Sequence, residues 1–366
     1  MTSEANNVLV VLPNWVGDAV LAGPALRALR ERFSDGRITY LLRPYLRELL
    51  GGCPWYDQLL YWPSRKKGIP KQTTLNLLKQ LRGNKYDLAV LLSNSFRAAV
   101  TMSLAKIPRR VGYDRDGRGM LLTDKLLPDR YNGRFLPISA LKYYMSVADY
   151  LGCDTRNHQL ELFAEPPFEQ EVESLFVRHG LDSNKGVAVI NPGASFGAAK
   201  CWPAEHFAAV GDHLVEEHDL HVVIACSGRE IPIARKVASL MKHSAVALSD
   251  PVVGLGTLKS LIKRCGILVT NDTGPRHFAA AFGVPVVTVF GSTDPRWTET
   301  LYVRERAARI EVDCGPCMKR VCPEKHHRCM RELKPERVIE QVRQLLGDRS
   351  ARTERTVDAA SADGGT

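Results

Sequence analysis

The chain reads as an α/β protein built from two doubly wound, parallel-sheet domains. Three observations predict this. Short apolar runs alternate with amphipathic segments, as β-α-β units do. The alternation breaks off and restarts near mid-chain. The length of 366 residues is two domains at roughly 150 residues each.

In the first half, residues 8–12 (VLVVL) form an unbroken apolar run, the pattern of a strand covered on both faces. Residues 19–33 follow with Val20, Leu21, Ala25, Leu26 and Leu29 at helical spacing. Residues 38–42 (ITYLL) are a second strand, 75–81 a helix and 88–92 (LAVLL) a third strand. The second half repeats the pattern. Strands are expected at 187–190, 221–225, 267–270 and 286–290, and helices at 206–218, 231–241 and 275–282. A Pro pair (Pro166-Pro167) and a polar turn at 184–186 bracket one helix and mark the domain boundary. The expected organisation is an N-terminal domain over 1–170, a C-terminal domain over 171–330, a final helix within 331–348 and a disordered polar tail over 349–366.

Composition narrows the function. Apolar residues at 45% and charged residues at 25% exclude a mostly disordered chain. No apolar run is long enough to span a bilayer, and the start has no basic signal-like region, so a cytoplasmic protein is expected. Nine cysteines, most of them singly placed, fit a reducing compartment. The net charge of +10 is local: residues 61–134 hold 16 Lys/Arg against 5 Asp. That stretch suits an anionic partner or a solubilising surface, and both readings are open.

Three segments carry chemistry. Leu12-Pro13-Asn14-Trp15-Val16-Gly17-Asp18 joins the first strand to the first helix, at the carboxyl edge where open α/β sheets bind ligands. Asp18 stands at the helix start and suits an N-cap. The loop lacks G-x-G-x-x-G, and no P-loop pattern occurs, which disfavours a nicotinamide dehydrogenase or P-loop ATPase. Asn191-Pro192-Gly193-Ala194-Ser195-Phe196-Gly197-Ala198-Ala199-Lys200 is a small-residue loop ending in a cation, suited to an anion. Asn271-Asp272-Thr273-Gly274-Pro275-Arg276-His277 opens a helix, whose N–H groups and dipole attract phosphate. Thr273, Arg276 and His277 are placed to surround that phosphate.

Together, N-W-x-G-D, N-P-G-A-x-x-G-x-x-K-x-W-P and N-D-T-G-P-x-H-x-A-A-A-x-G-x-P resemble the lipopolysaccharide heptosyltransferases, over roughly residues 8–346. The late segment C-G-P-C-x-K-x-x-C-P-x-x-H-H-x-C-M is similar to one subgroup of them. The resemblance implies a GT-B fold, with two Rossmann-like domains facing across a cleft and a final helix that crosses back to the first. It implies inverting transfer of L-glycero-D-manno-heptose from ADP-heptose to the first heptose of the inner core. On that reading Asp18 is the base, kept ionised by its helix N-terminus. Lys200 meets the leaving diphosphate, and Ser195, Glu230, Asp272, Thr273, Gly274 and His277 hold the donor. Asn14, Trp15, Asn94, Ser95, Arg97, Arg65, Lys66 and Lys67 would face the acceptor, a Kdo2-lipid A precursor carrying one heptose in the anionic inner leaflet.

No cofactor is expected. Asp114-x-Asp116 matches the D-x-D of metal-dependent transferases but sits among arginines and reads as loop charge. Cys314, Cys317, Cys322 and Cys329 are spaced nearly as structural zinc ligands are, though not as C-x2-C…C-x2-C, so zinc and free thiols are both open. The competing readings are another GT-B transferase, an epimerase, which needs no basic acceptor surface, and a nucleic-acid-binding protein, for which no motif appears.

Overall fold

The computed structural model describes residues 5–64, 73–182 and 185–347. The chain divides into two compact units. One runs from the N-terminus to Phe163 and includes Arg296–Leu301; the other holds Ala164–Pro295 and the chain from Tyr302.

The first unit contains β1 (Asn7–Val11), α1 (Val16–Leu21), α2 (Gly23–Arg32), β2 (Arg37–Leu42), α3 (Arg47–Leu50), β3 (Gln58–Tyr61), α4 (Thr74–Gly83), β4 (Leu88–Leu91), α5 (Phe96–Leu104), β5 (Arg109–Tyr113), β6 (Asp124–Leu126), a small hairpin of β7 (Arg130–Tyr131) and β8 (Arg134–Phe135), and α6 (Ala140–Tyr150). Its main sheet has the order β3-β2-β1-β4-β5-β6, all parallel. The central strands β1 and β4 are covered on both faces, hence their unbroken apolar runs. The long helix expected over 19–33 is two helices that meet at Ala22; Pro24 in the first turn of α2 cannot donate back into α1.

The second unit contains α7 (Pro166–Arg178), β9 (Val187–Asn191), α8 (Ala204–His218), β10 (His221–Ile224), α9 (Ile231–Leu240), β11 (Ala245–Ala247), α10 (Leu255–Arg264), β12 (Ile267–Asn271), α11 (Gly274–Phe282), β13 (Val286–Val289), β14 (Glu305–Ala308), α12 (Arg328–Arg331) and α13 (Pro335–Leu346). Its parallel sheet has the same plan, β11-β10-β9-β12-β13-β14. Each main sheet therefore reverses winding at one point, between β1 and β4 in the first unit and between β9 and β12 in the second. Ligands of such sheets bind at these points, beyond the strands' carboxyl ends.

Two boundaries differ from the sequence reading. The first unit ends at Phe163 rather than at 170 and takes in Arg296–Leu301, where Ser139 Oγ donates to the Glu299 carbonyl at 2.5 Å. The final helix belongs to the second unit. α13 packs on α8, β13 and β14 of its own unit, because Val338 and Val342 on its apolar face are wholly buried in that unit's core. The tail expected to be disordered, 349–366, lies outside the described residues, as do Arg65, Lys66 and Lys67.

Candidate active site

In the second unit, Asn191 ends β9 in register with Thr270 of β12, and Asn271 ends β12 one residue further on. Their amides sew the loops together. Asn191 Nδ2 donates to Thr270 Oγ1 at 3.0 Å and to Thr273 Oγ1 at 3.1 Å. Asn271 Nδ2 donates to the carbonyls of Pro192 and Gly193 (2.7 and 3.3 Å), while its Oδ1 accepts from the Trp202 backbone N–H at 3.2 Å. Trp202, 1% exposed, anchors the far side of the loop by donating Nε1–H to the Leu333 carbonyl.

This suture brings Lys200 over the start of α11. Its ammonium donates to Asp272 Oδ2 at 2.6 Å and to the Asp272 carbonyl at 2.9 Å, and lies 4.9 Å from the Phe196 ring centre. Asp272 is held from every side. Oδ2 also accepts from Thr293 Oγ1 at 2.7 Å, and Oδ1 accepts from Arg276 Nη1 at 2.8 Å. Burial alone would raise its pKa, but Arg276 and then Lys200 outweigh it and hold the carboxyl well below the usual carboxylate range. Asp272 therefore orders the turn.

Arg276 departs from its expected place around a phosphate. It is 3% exposed and turned inward, gripping Asp272 on one side and Glu305 of β14 on the other through Nε (2.8 Å) and Nη2 (3.3 Å). Thr288 Oγ1 supports the same Glu305 oxygen at 2.8 Å. The reason is electrostatic: a buried and a part-buried carboxylate flank one cation, and the guanidinium fork reaches both.

His277 is also 3% exposed. Burial, reinforced by Arg276, depresses its pKa well below 6.5, so the imidazole is neutral at neutral pH. Its Nδ1 is buried and makes no hydrogen bond among the described residues. Thr273 and Gly274 lie half-buried at the open start of α11, with Pro275 in the first turn and Gly283 closing the helix at φ 72°. Ser195 is exposed on the Lys200 loop. Glu230 precedes α9 and accepts from the Ser227 N–H at 2.9 Å; its carboxylate lies so close over Gly193 that a Cβ there would stand 2.1 Å from it. A cavity of about 720 Å³ opens beside Cys201, Pro203, Pro232, Lys236 and Arg331. Of Lys200, Asp272, Thr273 and His277, none lines it.

In the first unit, Asp18 is not the helix cap. Trp15 holds that position and Asp18 falls in the first turn of α1, half-buried. Burial raises the pKa of the Tyr45 and Tyr144 hydroxyls, and the Asp18 charge adds to both, partly offset at Tyr45 by Arg43. Asn14 braces the loop, its Oδ1 accepting from Arg43 Nε at 3.2 Å and its carbonyl from the Tyr45 hydroxyl. Trp15 is exposed. Beyond β4, Ser95 caps α5, and the Asn94 Oδ1 accepts from Arg118 Nη2 (3.0 Å) and the Tyr143 hydroxyl (2.9 Å). Arg97 is exposed, 5.6 Å from the Trp62 ring centre. Sequence reasoning counted Arg118 only among the arginines around the D-x-D; it is fully buried and also donates to the Tyr113 and Ser93 carbonyls. Burial lowers its pKa to about 10, and Asp116 and Asp114 stand close enough to oppose that. The D-x-D carboxylates thus face an arginine.

Cys314, Cys317, Cys322 and Cys329 are drawn together around a cavity of about 20 Å³ that His326 and His327 also line. Burial, then the sulfurs of Cys317, Cys314 and Cys322, raise the Cys329 thiol to about 11. Among the described residues, no group of three or more His, Cys, Asp or Glu is already placed to hold a metal ion.

Two doubly wound units of the same plan, with polar loops at both switch points, are the domain architecture of the GT-B fold. The chain belongs to glycosyltransferase family 9, the heptosyltransferases, whose model matches residues 74–328. It is 29% identical over 351 residues to lipooligosaccharide heptosyltransferase 2 of Campylobacter jejuni, covering 93% of this chain and 98% of that one. It is 28% identical to lipopolysaccharide heptosyltransferase 2 of Escherichia coli at the same coverage. The structure of the E. coli ADP-heptose lipopolysaccharide heptosyltransferase II superposes with a TM-score of 0.74 at 25% identity, over 93% of this chain and 98% of that one.

Proposed function

We propose that this enzyme transfers heptose from ADP-heptose to the first heptose of a lipopolysaccharide inner core. The observation that carries the donor half is the constellation at the β9/β12 switch: Lys200 over the α11 N-terminus, its ammonium aimed by a clamped Asp272, beside a neutral His277 with an unengaged ring nitrogen. A departing diphosphate needs fixed positive charge and N–H donors where its charge develops. Lys200 supplies the charge, the first turn of α11 supplies the N–H groups, and Thr273 adds a hydroxyl. The Lys200–Asp272 pair orients the ammonium. Ser195 lies on the same loop and completes the phosphate contacts. Glu230, over Gly193 at the edge of the same loop, is suited to accept from ribose hydroxyls.

Inversion requires one displacement at the anomeric carbon through an oxocarbenium-like state, with a base on the attacking hydroxyl. Asp18 takes that proton. Asn14, Trp15, Asn94, Ser95 and Arg97 stand at the same sheet edge and position the acceptor, a Kdo2-lipid A precursor bearing one heptose. No helix among the described residues is long and apolar enough to cross a membrane. The enzyme meets this lipid from the cytoplasm as a peripheral visitor to the anionic inner leaflet. The basic excess over 61–134 supports this, and Arg65, Lys66 and Lys67 are its densest cluster.

Donor binding tests the reading apart from turnover. ADP and ADP-heptose should bind by calorimetry, and Lys200→Ala should weaken both. Unchanged ADP affinity in that variant would remove Lys200 from the site.

A further inference from the structure

Residues 309–327, between β14 and α12, form no helix or strand and are largely exposed. Long irregular segments in compact domains are ordered by something other than regular hydrogen bonding. Here the apolar burial is slight, yet the chain turns sharply. Met318, Lys325 and His327 adopt left-handed φ of 56°, 58° and 54°, each within a few residues after a cysteine. These turns bring four thiols from one short stretch, Cys314 to Cys329, to one cavity with room for a single ion or water.

The hydrogen bonds select which groups can ligate. His326 Nδ1 accepts from the Arg328 backbone N–H at 3.0 Å, so a neutral His326 carries its proton on Nε2, which lies 3.9 Å from Cys314 Sγ. It is a donor toward that sulfur and not a ligand. His327 Nε2 is engaged with the Ala199 carbonyl at 3.0 Å, which anchors its ring to the Lys200 loop. The four sulfurs are the thiophilic groups of the cavity lining.

We propose that Cys314, Cys317, Cys322 and Cys329 bind one thiophilic divalent transition-metal ion, and that this staple clamps the loop carrying Lys200. Four thiolates make a closed tetrahedral site of the structural kind. The sulfurs must turn inward to reach it, and His326 then donates to the Cys314 thiolate from outside the coordination shell, as such partners do.

The clamp follows from what the segment touches. The Arg320 carbonyl accepts from the Ala199 N–H at 3.0 Å, one residue before Lys200. The Arg320 guanidinium lies 5.3 Å from the Phe196 ring centre, the ring that Lys200 also approaches. At Gly197, with φ 155°, an added Cβ would stand 2.3 Å from the Arg320 carbonyl, so this approach needs glycine. The Met318 N–H donates to the Ser292 carbonyl, next to Thr293, which supports Asp272. Metal in the cysteine segment therefore fixes both walls of the donor-lysine site. This second half rests on Lys200 being the donor lysine; the metal half does not.

The test uses the purified full chain. Elemental analysis after purification, and titration of the stripped protein with Zn2+ or Co2+, should show stoichiometric binding, with sulfur-to-cobalt charge-transfer and tetrahedral d–d bands for Co2+. Cys322→Ser should abolish those bands, His326→Gln should weaken the metal ~10–100-fold, and Cys153→Ser should leave it unchanged. Stripping the wild-type chain with a chelator should lower ADP affinity, and Zn2+ should restore it; this reading needs no variant that folds poorly. Absence of stoichiometric metal and of the cobalt–thiolate bands overturns the site. Tight metal with unchanged ADP affinity on stripping overturns the clamp. Stoichiometric metal in a chain that does not bind ADP at all overturns the donor reading and leaves the metal site standing.

Discussion

At the scale of single residues, the Lys200–Asp272–Arg276–Glu305 chain decides most of the electrostatics of the donor-side site. Arg276→Leu would leave the part-buried Glu305 without its cation and Asp272 with Lys200 alone. Removing one partner of a buried pair typically costs about 3–5 kcal/mol, and loss of that order should appear in urea unfolding. A variant as stable as wild type would mean the two carboxylates find protons or water instead. Asp18→Asn is a different kind of change. The amide has nearly the same shape but takes no proton, so transfer should fall ~10²–10⁴-fold with ADP-heptose affinity nearly unchanged. Turnover within a few-fold of wild type would take Asp18 out of the chemistry. Lys200, Asp272, Thr273 and His277 were legible as a cluster because motif order and helix-start chemistry point to one place. Arg276 was legible only as a cation near a phosphate. Its true partner, Glu305, lies in an edge strand with no apolar signal, so no local pattern could connect them.

At the scale of elements, the loops after β9 and β12 act as one piece because Asn271 holds them. Asn271→Ala should destabilise by about 1–3 kcal/mol for each buried group left without a partner and should loosen ADP binding in parallel. Stability loss without any change in ADP affinity would show that the Lys200 loop keeps its place without the suture. Gly193→Ala should act on function more than on stability, because the added methyl meets the movable end of Glu230. The donor KM should rise while the melting temperature changes little. The same contrast explains which elements could be read in advance. Central strands such as β1, β9 and β12 are buried on both faces and announce themselves as apolar runs. The outer strands β5 (RRVGY), β6 (DKL) and β14 (ERAA) carry polar residues on accessible faces and look like loops. The final helix was legible, but its packing partner was not: amphipathic spacing specifies an apolar face without saying which core receives it.

For the whole molecule, stability should depend on pH through buried histidines. Burial depresses the pKa of His206 and His213, and that of His277 much further. A histidine whose folded pKa lies below its unfolded value of about 6.5 is protonated first in the unfolded chain, so stability falls as pH drops through that value. His277 alone should contribute a slope approaching about 1.4 kcal/mol per pH unit below it. Unfolding followed between about pH 7.5 and 5 should show a shallower slope for His277→Gln, and an unchanged slope would mean His277 is not buried neutral. The central claim is the transfer itself. ADP-heptose is incubated with the purified enzyme and with truncated lipopolysaccharide carrying either one heptose or none, and the products are weighed by mass spectrometry. The account predicts that the one-heptose acceptor gains a single heptose and that the heptose-free acceptor gains little. Preferential extension of the heptose-free acceptor, or no transfer to either, would contradict it.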